Sequence, residues 1–104
     1  MTGEEFVKNC YKEKDNMLKM YFDKTLETSV GEKIMSLEAQ GISEEEVRGL
    51  VDSVLKEAFY TMLLGLEGEA SLGASQEMYK IYDEEDNLIE DIEGYAFDAF
   101  MAED

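Results

Sequence analysis

Apolar residues recur at helical spacing along one long stretch of the chain, from Ser43 to Leu66. Spacings of three and four residues place side chains on one face of an α-helix. Ser43 and Glu46 have the spacing of a capping box at its start. We therefore predict a long central helix over about 43–66, with an apolar stripe that faces a core. The apolar positions of this stripe are Val47, Leu50, Val51, Val54, Leu55, Ala58, Phe59, Met62, Leu63 and Leu66.

Two further helical patterns precede the central one. Apolar residues from Phe6 to Phe22 predict a helix from about Gly3 to Leu26, opened by a capping box of Thr2 and Glu5. Residues 30–37 predict a short second helix with Ser29 as its N-cap, and Gly41 follows as the residue that ends it. Three helices joined by short links are expected to pack as a small bundle.

The pattern changes after Leu66. Gly65, Gly68 and Gly73 predict a loop, and the following apolar segments predict one β-hairpin over about 77–92 with an acidic turn at 83–87. Apolar residues at helical spacing over 93–101 then predict a short C-terminal helix that packs over the hairpin or across the central helix. We expect one domain over 1–104 of the α+β class, mainly helical.

Negative charge is concentrated in the second half of the chain. The 104 residues carry a net charge of −17. Residues 1–50 hold eleven acids and seven bases, whereas residues 51–104 hold fifteen acids and two bases, Lys56 and Lys80. Such a surface repels phosphate backbones and anionic lipids, so we expect neither direct nucleic-acid binding nor membrane binding. A basic protein partner is allowed, although solubility alone would also account for the charge.

The residue inventory excludes most catalytic and metal chemistry. The sequence has no histidine, which removes Ser-His-Asp, Cys-His and His-zinc sites. Residues 83–94 have acids at EF-hand positions, but Leu88 and Gly94 occupy the places that require Gly and Glu. We expect no enzyme, no catalytic residues, no cofactor and no metal site. Cys10 has no disulfide partner and the first residues are acidic, so we expect a cytoplasmic protein.

The acidic half supplies the candidate binding surface, with two tyrosines as possible aromatic anchors. The central helix ends in Leu63-Leu64-Gly65-Leu66-Glu67-Gly68, and Asp83-Glu84-Glu85-Asp86-Asn87 follows in the predicted hairpin. A small acidic chain with these features resembles bacterial immunity proteins of toxin systems. The resemblance implies a protein that neutralises a toxin by covering its active site. The candidate partner-binding residues are Glu67, Glu69, Glu77, Tyr79, Tyr82, Asp83, Glu84, Glu85, Asp86, Glu90, Asp91 and Glu93.

Two other hypotheses remain open at the level of the sequence. A nucleic-acid mimic would use the same charge to inhibit a basic nucleic-acid-binding protein. A structural homo-oligomer, for example a homodimer, would need no dedicated acidic surface. Met20, Tyr60 and Leu64 lie on or beside the helical stripes and would supply a self-complementary apolar face.

Overall fold

Helices dominate the fold, and a small antiparallel hairpin completes it. The computed structural model describes residues 1–102. The chain is α+β and mainly helical, as predicted. The described elements, in order, are α1 (Gly3–Tyr21), α2 (Ser29–Ala39), α3 (Glu44–Leu66), β1 (Ile81–Tyr82), β2 (Leu88–Ile89), α4 (Ile92–Ala96) and a π-helical turn (Phe97–Met101). None of the helices in residues 1–102 combines the length and apolar character needed to cross a membrane.

Side-chain caps fix where the three long helices begin. The Thr2 hydroxyl accepts from the Glu5 N–H at 3.1 Å, and the Glu5 carboxylate accepts from the Thr2 N–H at 2.9 Å, which confirms the predicted capping box. Ser43 caps α3 by accepting from the Glu46 N–H at 3.2 Å. The prediction for α2 was wrong by one residue, because Thr28 is its N-cap and Ser29 is already helical.

Helix α1 ends five residues before the predicted position, at Tyr21 instead of Leu26. The Asp23 carboxylate accepts from the Thr25 N–H at 2.9 Å and from the Thr25 hydroxyl at 2.6 Å. Such a local side-chain turn competes with continued helix. A prediction from apolar spacing alone does not include this competition, so it placed the end of the helix too late.

The core lies where α1 and α3 meet α4 and the hairpin. Helices α1 and α3 run antiparallel: Lys14 contacts Asp52, whereas Phe22, just after the end of α1, lies under Arg48, which precedes Asp52 in α3. The Phe100 ring lies 5.0 Å from that of Tyr11, centroid to centroid. Helix α4 and the π-helical turn therefore cover one side of the α1–α3 pair. The buried residues of this core are Val7, Leu63, Ile89, Ile92, Ala96 and Phe100.

The hairpin is much shorter than predicted. Its register pairs Ile81 with Ile89 and Tyr82 with Leu88, so each strand has only two residues. Ile89 is buried in the core, whereas Tyr82 and Leu88 are exposed on the other side. The hairpin therefore has one covered face. Just beyond it, the Glu90 backbone approaches Gly3 so closely that a Cβ at Gly3 would lie 1.7 Å from the Glu90 carbonyl oxygen.

The central stripe of α3 only partly faces the core. Val47, Leu55 and Leu63 are buried. Leu50, Val54 and Met62 are 62%, 56% and 52% exposed, so the prediction that the whole stripe faces a core was wrong. Helix α2 packs on α3, and Leu72 lies against Gly65 near its other end. Helix α1 covers another face of α3, and Leu50, Val54 and Met62 have no comparable cover in the described part of the chain.

Candidate partner-binding cleft

One cleft gathers much of the predicted acidic surface. We call it the acidic cleft, and its volume is about 350 Å³. It lies between the end of α3, the segment before β1, and the connection from β2 to α4. Its lining residues are Glu67, Glu69, Met78, Tyr79, Lys80, Leu88, Ile89, Glu90, Asp91 and Glu93.

Backbone contacts hold the first wall of the acidic cleft against the end of α3. The Tyr79 N–H donates to the Leu66 carbonyl at 2.9 Å, and the Gln76 side-chain amide donates to the Gly68 carbonyl at 2.8 Å. Gly68 has φ +79°, and a Cβ there would lie 3.3 Å from the Met78 backbone. This conformation favours glycine and lets the chain reverse direction and pass close to itself. Tyr79 is thereby fixed beside Glu67.

Glu67 also contacts the opposite wall of the acidic cleft, at the start of α4. Its carboxylate accepts from the Glu93 N–H at 3.1 Å, in the first turn of α4. The residue at the N-cap position, Asp91, adopts a left-handed conformation with φ 59° and makes no side-chain cap. A carboxylate from another element therefore takes the place of a local cap at this helix start. Glu67 has a structural role in addition to its place in the cleft.

Asp83 has a structural role outside the acidic cleft. Its carboxylate accepts from the backbone N–H groups of Glu85 and Asn87, both at 2.9 Å. It also accepts from the Asn87 side-chain amide at 3.2 Å and from the amino group of Met1. The hydrogen bond from the Met1 amino group, followed by those of Asn87, lowers the pKa of Asp83 well below its usual range. Asp83 shapes the hairpin turn, and its lone pairs are largely occupied.

The structure divides the twelve candidate residues into two groups. Six of them line the acidic cleft: Glu67, Glu69, Tyr79, Glu90, Asp91 and Glu93. The other six lie outside it: Glu77, Tyr82, Asp83, Glu84, Glu85 and Asp86. Sequence reasoning missed four cleft residues: Met78, Lys80, Leu88 and Ile89. Met78 and Leu88 fell within the predicted hairpin, and the structure shows both side chains exposed.

The acidic cleft has a strong surplus of negative charge. Five carboxylates and one ammonium group line it. Within residues 1–102, none of the five carboxylates lies within 4.0 Å of a basic group. Tyr79 and Met78 are exposed beside them. The arrangement suits a cationic side chain whose aliphatic stem packs on apolar and aromatic surface.

Two features of the described residues bear on reactive chemistry. In the described part of the chain, no group of three or more Cys, Asp and Glu residues is placed to hold a metal ion. Cys10 is half-buried, and burial raises the pKa of its thiol. A raised pKa keeps the thiol protonated and weakly nucleophilic near neutral pH.

Comparison with known proteins adds no family assignment. The sequence matches no protein-family model, and no match arises among curated proteins or solved structures. The resemblance to immunity proteins therefore stays a prediction from the sequence.

Proposed function

We propose that this chain is an acidic protein-binding module that takes a basic segment of a partner protein into the acidic cleft. The observation that carries the proposal is the convergence of Glu69, Glu90 and Asp91 with two further carboxylates around an exposed tyrosine. Unpaired carboxylates steer a basic partner during encounter, and Tyr79 supplies a rigid contact once it is bound. Lys80 would set the register by repelling one cationic position of the partner.

Inhibition follows from this mode of binding if the captured segment belongs to a functional site. A basic surface that binds nucleic acid or forms the active site of a toxin would be covered by the module. The immunity-like role and the nucleic-acid-mimic role differ in the partner and share the cleft. The lone Cys10 fits a reducing compartment, and we propose the cytoplasm as the place of action.

A charge-matched pair of variants tests whether the acidic cleft is a site. The probe is a fluorescent heptapeptide with alternating Arg and Leu, titrated at low ionic strength. The cleft variant is Glu69→Gln/Glu90→Gln/Asp91→Asn, which spares Glu67. The control, Glu84→Gln/Glu85→Gln/Asp86→Asn, removes the same number of charges from the hairpin tip.

We expect the cleft variant to bind the heptapeptide about tenfold more weakly, since three exposed ion pairs contribute roughly 0.5 kcal/mol each. The tip variant should differ from the parent chain by less than about twofold, and affinity should fall as salt rises. Equal weakening by both variants would show that only net charge matters, and the proposal would then be abandoned.

A further inference from the structure

A second surface lies between α1 and α3. We call it the α1–α3 groove, and its volume is about 320 Å³. Its lining is entirely apolar and shares no residue with the acidic cleft. The lining residues are Phe6, Cys10, Ala58, Phe59, Met62, Leu63 and Leu66.

A ridge of exposed apolar side chains extends the groove along α3. Leu50, Val54, Ala58 and Met62 are four residues apart, so they form one row on the helix surface. The row spans about 18 Å at 1.5 Å per residue, which is the length of a helix of three to four turns. A continuous exposed apolar surface of this kind is typical of an interaction site.

The rim of the groove carries carboxylates. Glu13 follows Cys10 by three residues, and Glu57 follows Val54 by three, so each lies beside the apolar surface on its helix. Both are exposed, and neither forms an ion pair with a base in residues 1–102. The lysines of α1 fall on other parts of the helix: Lys8 and Lys12 are two residues from Cys10, which places them roughly opposite it.

We propose that the α1–α3 groove binds an amphipathic helix of a basic partner. Its apolar stripe, with residues three and four apart, packs on Val54, Ala58 and Met62, while lysines or arginines on its flanks meet Glu13 and Glu57. A second copy of this chain suits the groove poorly. It would bring each rim carboxylate against the same acidic rim, between chains that each carry −17.

A synthetic helix serves as the probe. It is a 14-residue peptide with leucines at helical three- and four-residue spacing and lysines flanking them. A scrambled peptide of identical composition and a second peptide with glutamates in place of the lysines are its controls. Binding is measured by titration, and its position by chemical-shift changes in amide NMR spectra of the full chain.

Two methionines provide a matched pair of variants. Met62 on the ridge and Met35 on α2 are 52% and 51% exposed, so replacing either with glutamine perturbs the fold equally little. We expect Met62→Gln to lower the affinity for the lysine-flanked peptide about fivefold to tenfold. Met35→Gln should lower it by less than about twofold. Val54→Asn should act like Met62→Gln, and Glu57→Gln should reduce the dependence of affinity on salt.

The result that supports the proposal is a set of shifts around Cys10, Ala58 and Met62 with the lysine-flanked peptide alone. Equal binding of the scrambled peptide, or equal effects of Met62→Gln and Met35→Gln, would overturn it. Sedimentation that shows a dimer lost in Met62→Gln would identify a second copy as the occupant and also overturn it. The cleft variant Glu69→Gln/Glu90→Gln/Asp91→Asn should retain peptide affinity within about twofold, so this test is separate from that of the acidic cleft.

Discussion

Lys14 shows how a charged residue can be part of a small core. Its side chain is 2% exposed, yet its ammonium group contacts Asp15 and Asp52, each at 2.8 Å. It also lies 4.3 Å from the centre of the Tyr11 ring. Burial alone would lower the pKa of Lys14, but the two carboxylates outweigh it and raise the pKa. The ion pair thus joins α1 to α3 at a position that the apolar stripe leaves empty.

Replacing this lysine tests the contribution of the ion pair. We expect Lys14→Met to lower the free energy of unfolding by about 2 kcal/mol, because it removes hydrogen bonds to charged groups while keeping apolar volume. Lys12→Met, at an exposed position on the same helix, should change it by less than about 0.5 kcal/mol. Urea unfolding measures both. A Lys14→Met chain as stable as the parent would show that burial cost cancels the interaction.

The same pair makes stability depend on pH. Burial alone would raise the pKa of Asp52, but the hydrogen bond from Lys14 outweighs it and lowers the pKa below its ordinary value of 3.8. As the pH falls, Asp52 is protonated in the unfolded chain before it is protonated in the folded chain. Its contribution to stability is therefore complete above about pH 5 and is lost as the pH falls through the pKa of Asp52 in the folded chain. Urea unfolding measures this effect. Between pH 7 and pH 3, the free energy of unfolding should fall less in Lys14→Met than in the parent chain.

Helix α3 is the element on which both proposed surfaces depend. Its end forms a wall of the acidic cleft, and its exposed middle forms the ridge of the α1–α3 groove. Gly49 is an exposed residue in the first half of this helix, and a Cβ there would meet no atom within 4 Å. The glycine therefore weakens the helix without serving a close approach.

Substituting this glycine should stabilise the protein. We expect Gly49→Ala to raise the free energy of unfolding by about 1 kcal/mol, the difference in helix propensity between the two residues. Gly65→Ala is the contrasting change, because the added Cβ would lie 2.6 Å from the Leu72 side chain. It should therefore raise the free energy of unfolding by less than Gly49→Ala, or not at all. Thermal unfolding compares the two. Equal gains would show that Leu72 moves freely away from α3.

Local chemistry explains which elements the sequence could predict. The start of α3 was predicted correctly because Ser43 and Glu46 lie within one turn of each other. The exposure of Val54 was not predictable, since periodicity identifies an apolar face but not whether the chain can cover it. Within the cleft, the approach of Glu67 to Glu93 depends on the left-handed turn at Asp91, a tertiary feature that charge patterning does not contain.

Charge is the dominant property at the scale of the whole molecule. The net charge of −17 acts across a fold with principal extents of 47 × 31 × 28 Å, so the carboxylates repel one another and oppose compaction. Several of the observed ion pairs are exposed and contribute little. Salt screens this repulsion over distances beyond about 10 Å at 0.1 M.

Added salt should therefore stabilise the fold while weakening capture of a basic partner. We expect the melting temperature to rise by roughly 4 °C between 10 mM and 300 mM NaCl, which corresponds to about 1 kcal/mol for a domain of this size. Over the same range of NaCl concentration, affinity for the heptapeptide with alternating Arg and Leu should fall. Differential scanning calorimetry gives the first quantity. A melting temperature that falls with salt would mean that the few ion pairs outweigh the repulsion.

The close approach of Gly3 to Glu90 has a kinetic consequence. It joins the first turn of α1 to the segment that precedes α4, so almost the whole chain must be gathered before this contact forms. The hydrogen bonds of helices α1 and α3 are local, so we expect these helices to form early, whereas closure of a long loop is entropically slow. We therefore expect the side of the acidic cleft that contains Glu90 to be completed late in folding.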